Sequence, residues 1–176
     1  MVNVGRVTGT AALTLLTVFP VLAPAEPLAF GEVAFGGELK QLLSKRPDAR
    51  CAENVEPLVY TACTVDLTWA EVPVQVEYTF SEVGRPGRVL TVVILRFSQA
   101  DAPRIREALT AEYQQEGQPI VEGNTGRITS GRQWSGLTTS ATFWGTQVTV
   151  GSGEYSEVLE KQYWQWCERT KAICEP

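Results

Sequence analysis

The clearest pattern in the chain is an alternation of apolar and polar residues over Val72–Phe80. Every second position holds Val, Tyr or Phe, and the positions between them hold Pro, Gln, Glu and Thr. Consecutive side chains of a β-strand point to opposite faces of the sheet, so a period of two separates a buried face from a hydrated one. The pattern therefore predicts a strand with one side in the core.

Other segments extend this strand into a sheet. Val89–Phe97 is apolar at most positions, which is typical of a central strand that is covered on both faces. The segment Glu82–Arg88 is rich in glycine and proline and predicts a turn, so the strands on either side of it should form an antiparallel hairpin. The remaining predicted strands are Leu58–Trp69, Leu137–Trp144 and Thr146–Val150, the last two joined by a turn at Gly145.

Three segments repeat apolar residues at helical spacing. They are Glu38–Lys45, a segment that begins at the N-cap Asp101 and stops at Gly117, and Glu154–Glu168. The loop that carries Cys51 and the Gly-, Ser- and Thr-rich segment Gln118–Gly136 are predicted to lack regular structure. The order of helices and strands predicts an α+β fold, a small single domain in which helices pack on an antiparallel β-sheet. No internal repeat is visible in the sequence.

The first 25 residues follow the order of features in a secretory signal peptide. Arg6 supplies a positive charge, Ala11–Leu22 is apolar, and Ala23-Pro24-Ala25 supplies the small residues at a cleavage site. The apolar stretch is shorter than the roughly 20 residues that cross a membrane, and an uncleaved anchor is the alternative. We therefore predict a signal peptide over residues 1–25 and one α+β domain over residues 26–176. The mature protein should be periplasmic or secreted, with no membrane segment.

All four cysteines lie after the predicted cleavage site: Cys51, Cys63, Cys167 and Cys174. An even number of cysteines in an exported chain is typical of stabilising disulfides. Four cysteines allow three pairings, and we favour Cys51–Cys63 with Cys167–Cys174 because each pair is close in sequence. A redox or zinc site is the alternative, but the chain has no C-x-x-C motif and zinc would need all four thiolates.

The chain contains no histidine, which removes the usual general base at neutral pH and the commonest metal ligand. Ser-His-Asp and Cys-His hydrolases, HExxH metallopeptidases and His-based zinc sites are therefore excluded. The formal net charge of −5 gives the protein no general attraction for nucleic acid or anionic membranes. We predict no cofactor, no metal and no nucleic-acid partner.

Aromatic residues near the C-terminus form the first candidate binding site. Tyr163 and Trp164 lie beside Trp166 in the predicted last helix, and helical spacing prevents all three from facing the same way. Trp166 shares a face with Tyr155, whereas Trp164 is displaced from Trp166 by about 200°. Exposed aromatic side chains mark protein interfaces and sugar-binding platforms. The alternative is that they only pack the last helix against the sheet.

A second candidate site lies in Gly123–Gly136, which combines glycines and hydroxyl side chains with Arg127, Arg132 and Trp134. Backbone amides in such a loop can hold an anion, and arginine can add a forked pair of donors. The alternative is a connection between elements, with a short hairpin around Asn124 to Arg127.

These features together predict an exported, non-enzymatic envelope protein that binds another macromolecule, as an assembly factor or an inhibitor. A protein partner is expected first and a glycan second. The alternative is a carbohydrate-binding module or a weak glycan hydrolase, in which Asp66 and Glu77 would act as acid and base. The tryptophans that would then stack on sugar rings are Trp134, Trp144, Trp164 and Trp166.

The leader predicts a specific N-terminus for the mature chain. Protein purified from its native host should have the intact mass of a chain that begins at Glu26, because cleavage is expected after Ala25. Mass spectrometry of the undigested protein checks this. A full-length chain retained in a membrane would contradict the signal peptide and weaken the argument for disulfides.

Overall fold

The computed structural model describes residues 33–55, 57–84, 86–121, 128–171 and 174 of the 176-residue chain. The predicted signal peptide lies outside the described residues. The helices are α1 (Leu39–Lys45), α2 (Ala102–Tyr113) and α3 (Gly153–Thr170), with a 3-10 turn over Gln99–Asp101 before α2. The strands are β1 (Arg50–Asn54), β2 (Tyr60–Trp69), β3 (Val72–Ser81), β4 (Val89–Arg96), β5 (Gln118–Val121), β6 (Ile128–Ser135), β7 (Thr139–Trp144) and β8 (Gln147–Ser152). Among the described helices, none is long and apolar enough to cross a membrane.

The eight described strands form one antiparallel sheet in the order β1-β2-β3-β4-β8-β7-β6-β5. Strands β1–β4 form one meander, strands β5–β8 form a second, and the two meet where β4 pairs with β8. The apolar strand β4 is central, and β3 and β4 form an antiparallel hairpin, as the sequence predicts. The predicted α+β class, a small single domain with helices packed on an antiparallel sheet, is confirmed.

The two meanders share one layout, although no repeat is visible in the sequence. Each consists of a helix followed by four antiparallel strands, α1 with β1–β4 and α2 with β5–β8. The strand order runs outward from the centre as 4-3-2-1 on one side and as 8-7-6-5 on the other. Helix α3 follows the last strand and has no counterpart between the meanders. The resemblance between the halves therefore lies in their architecture and not in their residues.

One face of the sheet forms the core, and the register shows how it is built. Directly paired residues share a face, and one row of them crosses six strands: Cys63, Tyr78, Val93, Val150, Ala141 and Trp134. Each of these side chains is at most 2% exposed. The alternating residues of β3 extend the same buried face, because every second residue from Val72 to Phe80 is buried. The period of two read from the sequence thus identifies the core face.

Helices α1 and α2 cover this core face. Leu42 of α1 and Ile105 and Leu109 of α2 are fully buried in the same cluster as the strand residues. Helix α2 ends at Tyr113, and its C-cap residue is Gln114 in a left-handed conformation (φ 52°) and not the predicted stop Gly117. Gly117 instead packs against an indole, since a Cβ at this position would lie 2.5 Å from Cζ2 of Trp134.

Two regions that the sequence predicts to be irregular are strands. The segment around Cys51 is β1, which pairs along its whole length with β2. The Gly- and Ser-rich segment contains the hairpin β5–β6, and residues 122–127 between these strands lie outside the described part of the chain. Both β1 and β5 are edge strands, and four of the five residues of β1 are exposed. An edge strand with no continuous buried face lacks the alternation that would reveal it.

The favoured disulfide pairing is confirmed. Cys51 and Cys63 lie directly opposite each other on β1 and β2, with their Cα atoms 4.0 Å apart. Cys167 at the end of α3 is joined to Cys174, with a Cα separation of 6.1 Å. In the chain-entropy model, closing a loop of the first size contributes about 3 kcal/mol. The first bond therefore holds the edge strand β1 on the sheet, and the second holds the chain end on α3.

Two adjacent residues at the junction of the meanders should differ in how much their truncation lowers the free energy of unfolding. Leu95 is fully buried on the core face, opposite Val76 and Val148, so Leu95→Ala should reduce the free energy of unfolding by about 2–5 kcal/mol. Ile94 is half-buried on the other face, so Ile94→Ala should reduce the free energy of unfolding by clearly less than Leu95→Ala does. Urea unfolding of both variants measures the difference, and equal costs would contradict the assignment of the two faces.

Candidate functional site

The face of the sheet opposite the core, which we call the open face, has a continuous row of side chains across all eight strands. The row consists of Arg50, Thr64, Glu77, Ile94, Thr149, Thr142, Gln133 and Gln118. Helices α1 and α2 pack on the core face, whereas α3 begins over the open face, beside Gly151 and two residues along β8 from Thr149 of the row. At about 4.8 Å between strands, the row is about 34 Å long. The open face is therefore the broadest candidate surface in the described structure.

The part of the open face on β1–β4, which we call the charged half, contains two ion pairs. Arg50 Nη2 lies 3.2 Å from Asp66 Oδ2, and Gln75 Nε2 donates a hydrogen bond to Asp66 Oδ1 over 3.4 Å. Arg96 Nη1 donates to Glu77 Oε2 over 2.9 Å. Exposed ion pairs of this kind contribute about 0–1 kcal/mol to stability. Their main effect is to place both signs of charge on this half of the surface.

The part of the open face on β5–β8, which we call the uncharged half, has a different composition. Its described side chains are Gln118, Ile120, Gln133, Ser135, Ser140, Thr142, Trp144, Gln147 and Thr149. None of these carries a formal charge. Amides and hydroxyls supply both donors and acceptors. The two halves of one continuous surface are therefore suited to different contacts.

Trp144 is an exposed aromatic residue of the uncharged half. Its side chain is 44% exposed, and the indole lies over the backbone of Gly131 on the neighbouring strand. A Cβ at Gly131 would lie 2.9 Å from Cζ3 and 3.0 Å from Cε3 of Trp144, and 2.9 Å from Cδ1 of Ile120. A side chain at position 131 would therefore push the indole off the sheet. The glycine allows the ring to rest on the strands with its outer surface in water.

Helix α3 lies at the other end of the strands from Trp144. It starts after Ser152, where a Cβ on Gly151 would lie 3.6 Å from Oγ of Ser156, and Gln162 donates a hydrogen bond of 2.9 Å to the Glu82 carbonyl after β3. Trp144 instead pairs with Gln147 at the start of β8, so about 16 Å of strand separates it from α3. The Trp144 end of the open face is therefore left uncovered.

The predicted site residues Tyr163 and Trp164 are both half-buried on α3. The Tyr163 ring is 5.7 Å from the Trp164 ring in an edge-to-face contact and 6.4 Å from Trp166 in a stacked contact. Trp166 is half-buried as well, so the expected contrast between an exposed Trp164 and a buried Trp166 is weak. The structure brings these three aromatic rings together. Their role in binding stays a prediction.

Arg132 and Trp134 also come together, but on the core face. Trp134 is 2% exposed, so its indole offers no surface for stacking, and its Nε1 has no hydrogen-bond partner in the described structure. Arg132 Nη1 donates to the Gly117 carbonyl over 3.1 Å. Both line a groove of about 490 Å³ between α2 and β6, together with Arg106, Glu107, Thr110 and Glu116. The third predicted residue, Arg127, lies outside the described residues.

The carboxylates Asp66 and Glu77 share the open face, and each is held by an arginine. A glycosidase holds two carboxyl groups across a bound sugar, one as a proton donor. Here each carboxylate accepts a hydrogen bond from an arginine, Asp66 from Arg50 and Glu77 from Arg96. Both lie on an open sheet surface and outside the grooves described along the chain.

The described groups with shifted pKa values are Lys40, Asp48 and Tyr113, and none of them is a member of the open-face row. A hydrogen bond to Glu38 raises the pKa of Lys40, and a hydrogen bond from Arg46 lowers the pKa of Asp48. Burial raises the pKa of the Tyr113 phenol in α2. Among the described residues, no cluster of acidic or cysteine side chains is arranged to hold a metal ion. The described side chains of the open face offer hydrogen bonds, charges and an aromatic ring for contacts.

Sequence reasoning named Trp144 only as one of four tryptophans and missed the polar residues around it. Gln133, Thr142, Gln147 and Thr149 come together because β6, β7 and β8 pair in register. The available signal was the alternation within each strand, which places these residues opposite the core positions. That signal gives the face of each strand but not the order of strands in the sheet.

Comparison of the chain with protein-family models, curated proteins and solved structures finds no match.

The orphan N–H of Trp134 predicts an unusual pattern of stability changes. Trp134→Ala should reduce the free energy of unfolding by about 3–5 kcal/mol, since it removes a fully buried ring. Trp134→Phe should change it by only about 1 kcal/mol. Loss of an unpaired buried donor, which costs about 1–3 kcal/mol, offsets the loss of ring area. Urea unfolding measures both, and a large cost for Trp134→Phe would mean that Nε1 has a hydrogen-bond partner.

Proposed function

We propose that this is an exported, non-enzymatic protein of the cell envelope that binds a macromolecular partner, first a protein, on the open face of its sheet. The role would be that of an assembly factor or an inhibitor. The observation that carries the proposal is the continuous open-face row across eight strands, which lies on the face opposite α1 and α2 and has its Trp144 end about 16 Å of strand away from α3. A function of this kind needs area and complementary side chains and no reacting group.

The size and composition of the open face support this proposal. A stable protein interface buries about 800 Å² on each partner, and a surface about 34 Å wide can supply it. Interface centres are typically depleted of charge and rich in aromatic residues, whereas their rims are polar. The uncharged half with Trp144 resembles such a centre, and the ion pairs Arg50–Asp66 and Arg96–Glu77 resemble one side of such a rim.

One set of observations favours binding over catalysis, and another favours an oxidising compartment over a reducing one. The carboxylates on the open face are paired with arginines, and the chain has no histidine to act as a general base. The two disulfides are typical of chains that fold in an oxidising compartment. Together with the leader over residues 1–25, they support a periplasmic or secreted protein.

A carbohydrate-binding role is the second candidate, and one observation favours it. Trp144 is 44% exposed and stands among amide and hydroxyl side chains. Aromatic faces stack on the apolar faces of sugar rings, while such polar groups can pair with sugar hydroxyls. The described grooves give the hydrolase part of this alternative no such support, because neither Asp66 nor Glu77 lines one of them.

Site-specific photo-crosslinking tests the proposed function. A photoreactive amino acid at Gln133, which is exposed on the open face, should crosslink a discrete partner protein in cells of the native host. The photoreactive amino acid at position 104 serves as the matched control, because Arg104 is exposed on α2, and it should give no such product. Mass spectrometry identifies the crosslinked partner. Equal products at both positions, or products only at Arg104, would contradict binding on the open face.

A further inference from the structure

We propose that the uncharged half of the open face is a binding site for a neutral polysaccharide chain, with Trp144 as its stacking platform. This inference rests on the proposed function only in taking the open face as the binding surface. It names a ligand class and a subsite, and it depends on different residues from those of the charged half. The partner protein of the preceding section and an acidic polysaccharide are the competing occupants.

The geometry of Trp144 is that of a prepared platform. Close contact between the six-membered ring and the Gly131 backbone supports the indole from below, and Ile120 borders the same position. The ring is still 44% exposed, so an area of apolar surface remains in contact with water. Covering that surface with the apolar face of a sugar ring removes it from water without moving the protein. The site therefore needs little reorganisation on binding.

The neighbours of Trp144 match the polar edges of a sugar. Gln147 pairs directly with Trp144 across the β7–β8 turn, and its Nε2 donates to Oγ1 of Thr149 over 3.2 Å. Thr142 and Gln133 form the next pair of residues on the same face. Each of these side chains can donate and accept hydrogen bonds, as a sugar hydroxyl does. From β8 to β6 they extend over about 10 Å, which is longer than one sugar ring.

Charge favours a neutral chain over an acidic one. The described side chains of the uncharged half carry no cation that would pair with a carboxylate or sulfate, and the chain as a whole has a net charge of −5. The nearest open-face arginine, Arg96, is engaged by Glu77. An acidic polymer would therefore meet a protein of net negative charge in which the arginine beside Gln147 is already paired, whereas a neutral polymer meets no such repulsion.

Affinity electrophoresis in native gels tests the proposal with the mature protein. The gels contain dextran, laminarin, β-mannan or arabinoxylan as neutral probes, and alginate as the acidic probe. At least one neutral polysaccharide should retard the wild-type protein, and alginate should not. Trp144→Ala should weaken binding on the order of thirtyfold, as expected for a central aromatic contact. Trp144→Tyr should retain most of the retardation because it keeps an aromatic face.

The controls separate lost stacking from lost folding. Leu137→Ala removes another exposed apolar side chain, which is 93% exposed at the β6–β7 turn, and should bind like the wild type. Thr142→Lys adds a charge beside Trp144 and should reduce retardation with an unchanged melting temperature. If Trp144→Ala fails to fold, Thr142→Lys and Trp144→Tyr still test whether the surface around Trp144 binds the polysaccharide.

Several results would overturn the proposal. They are absence of retardation by all four neutral polysaccharides, stronger retardation by alginate, and equal retardation of the wild type and Trp144→Ala. The crosslinking experiment remains independent of these results. A protein crosslinked at Gln133 without any glycan retardation would overturn the glycan site and leave the proposed function intact. Retardation that depends on Trp144 without a crosslinked protein would retain the glycan site and contradict a protein partner.

Discussion

The pairing of β4 with β8 is the interaction on which the rest of the structure depends. Five directly paired positions, from Val92↔Gly151 to Arg96↔Gln147, join two four-stranded meanders that are otherwise far apart in sequence. On the core side of this seam Val93 lies opposite Val150 and Leu95 lies opposite Val148. All four side chains are fully buried. Closing this contact requires ordering the intervening chain, and hydrophobic burial on both meanders offsets that entropy. Without the seam, neither meander would have a complete core.

The seam also explains why one face of the sheet is available for binding. Both α1 and α2 pack on the same side, because each meander buries the face that its own helix covers. Joining the meanders edge to edge aligns their two open faces into one surface. The disulfide between Cys51 and Cys63 holds the β1 edge of that surface in place. The same pairing that completes the core therefore creates the broad surface on which the proposed function depends.

Two tryptophans show which features of burial a local sequence pattern can and cannot predict. Trp134 and Trp144 both lie in strands, yet one is 2% exposed and the other 44% exposed. The segment that holds Trp134 is predicted to lack regular structure, so no pattern places its ring in the core. A strand pattern tells which residues of one strand share a face. It does not tell which residue of a neighbouring strand lies opposite. The small residue under the Trp144 indole, Gly131, belongs to another strand, so only the pairing of β6 with β7 brings the two together.

The sequence by itself determined the class of fold, most of the elements and the local disulfides, because period-two alternation, helical spacing and short loops are properties of neighbouring residues. It failed at the edge strand β1 and at the hairpin β5–β6, where one-sided burial is too weak to produce alternation. The tertiary structure alone decided the order of the strands, the likeness of the two meanders and the division of the open face into charged and uncharged halves. These features depend on contacts between residues that are distant in the chain, and their pairing leaves no periodic trace in the sequence.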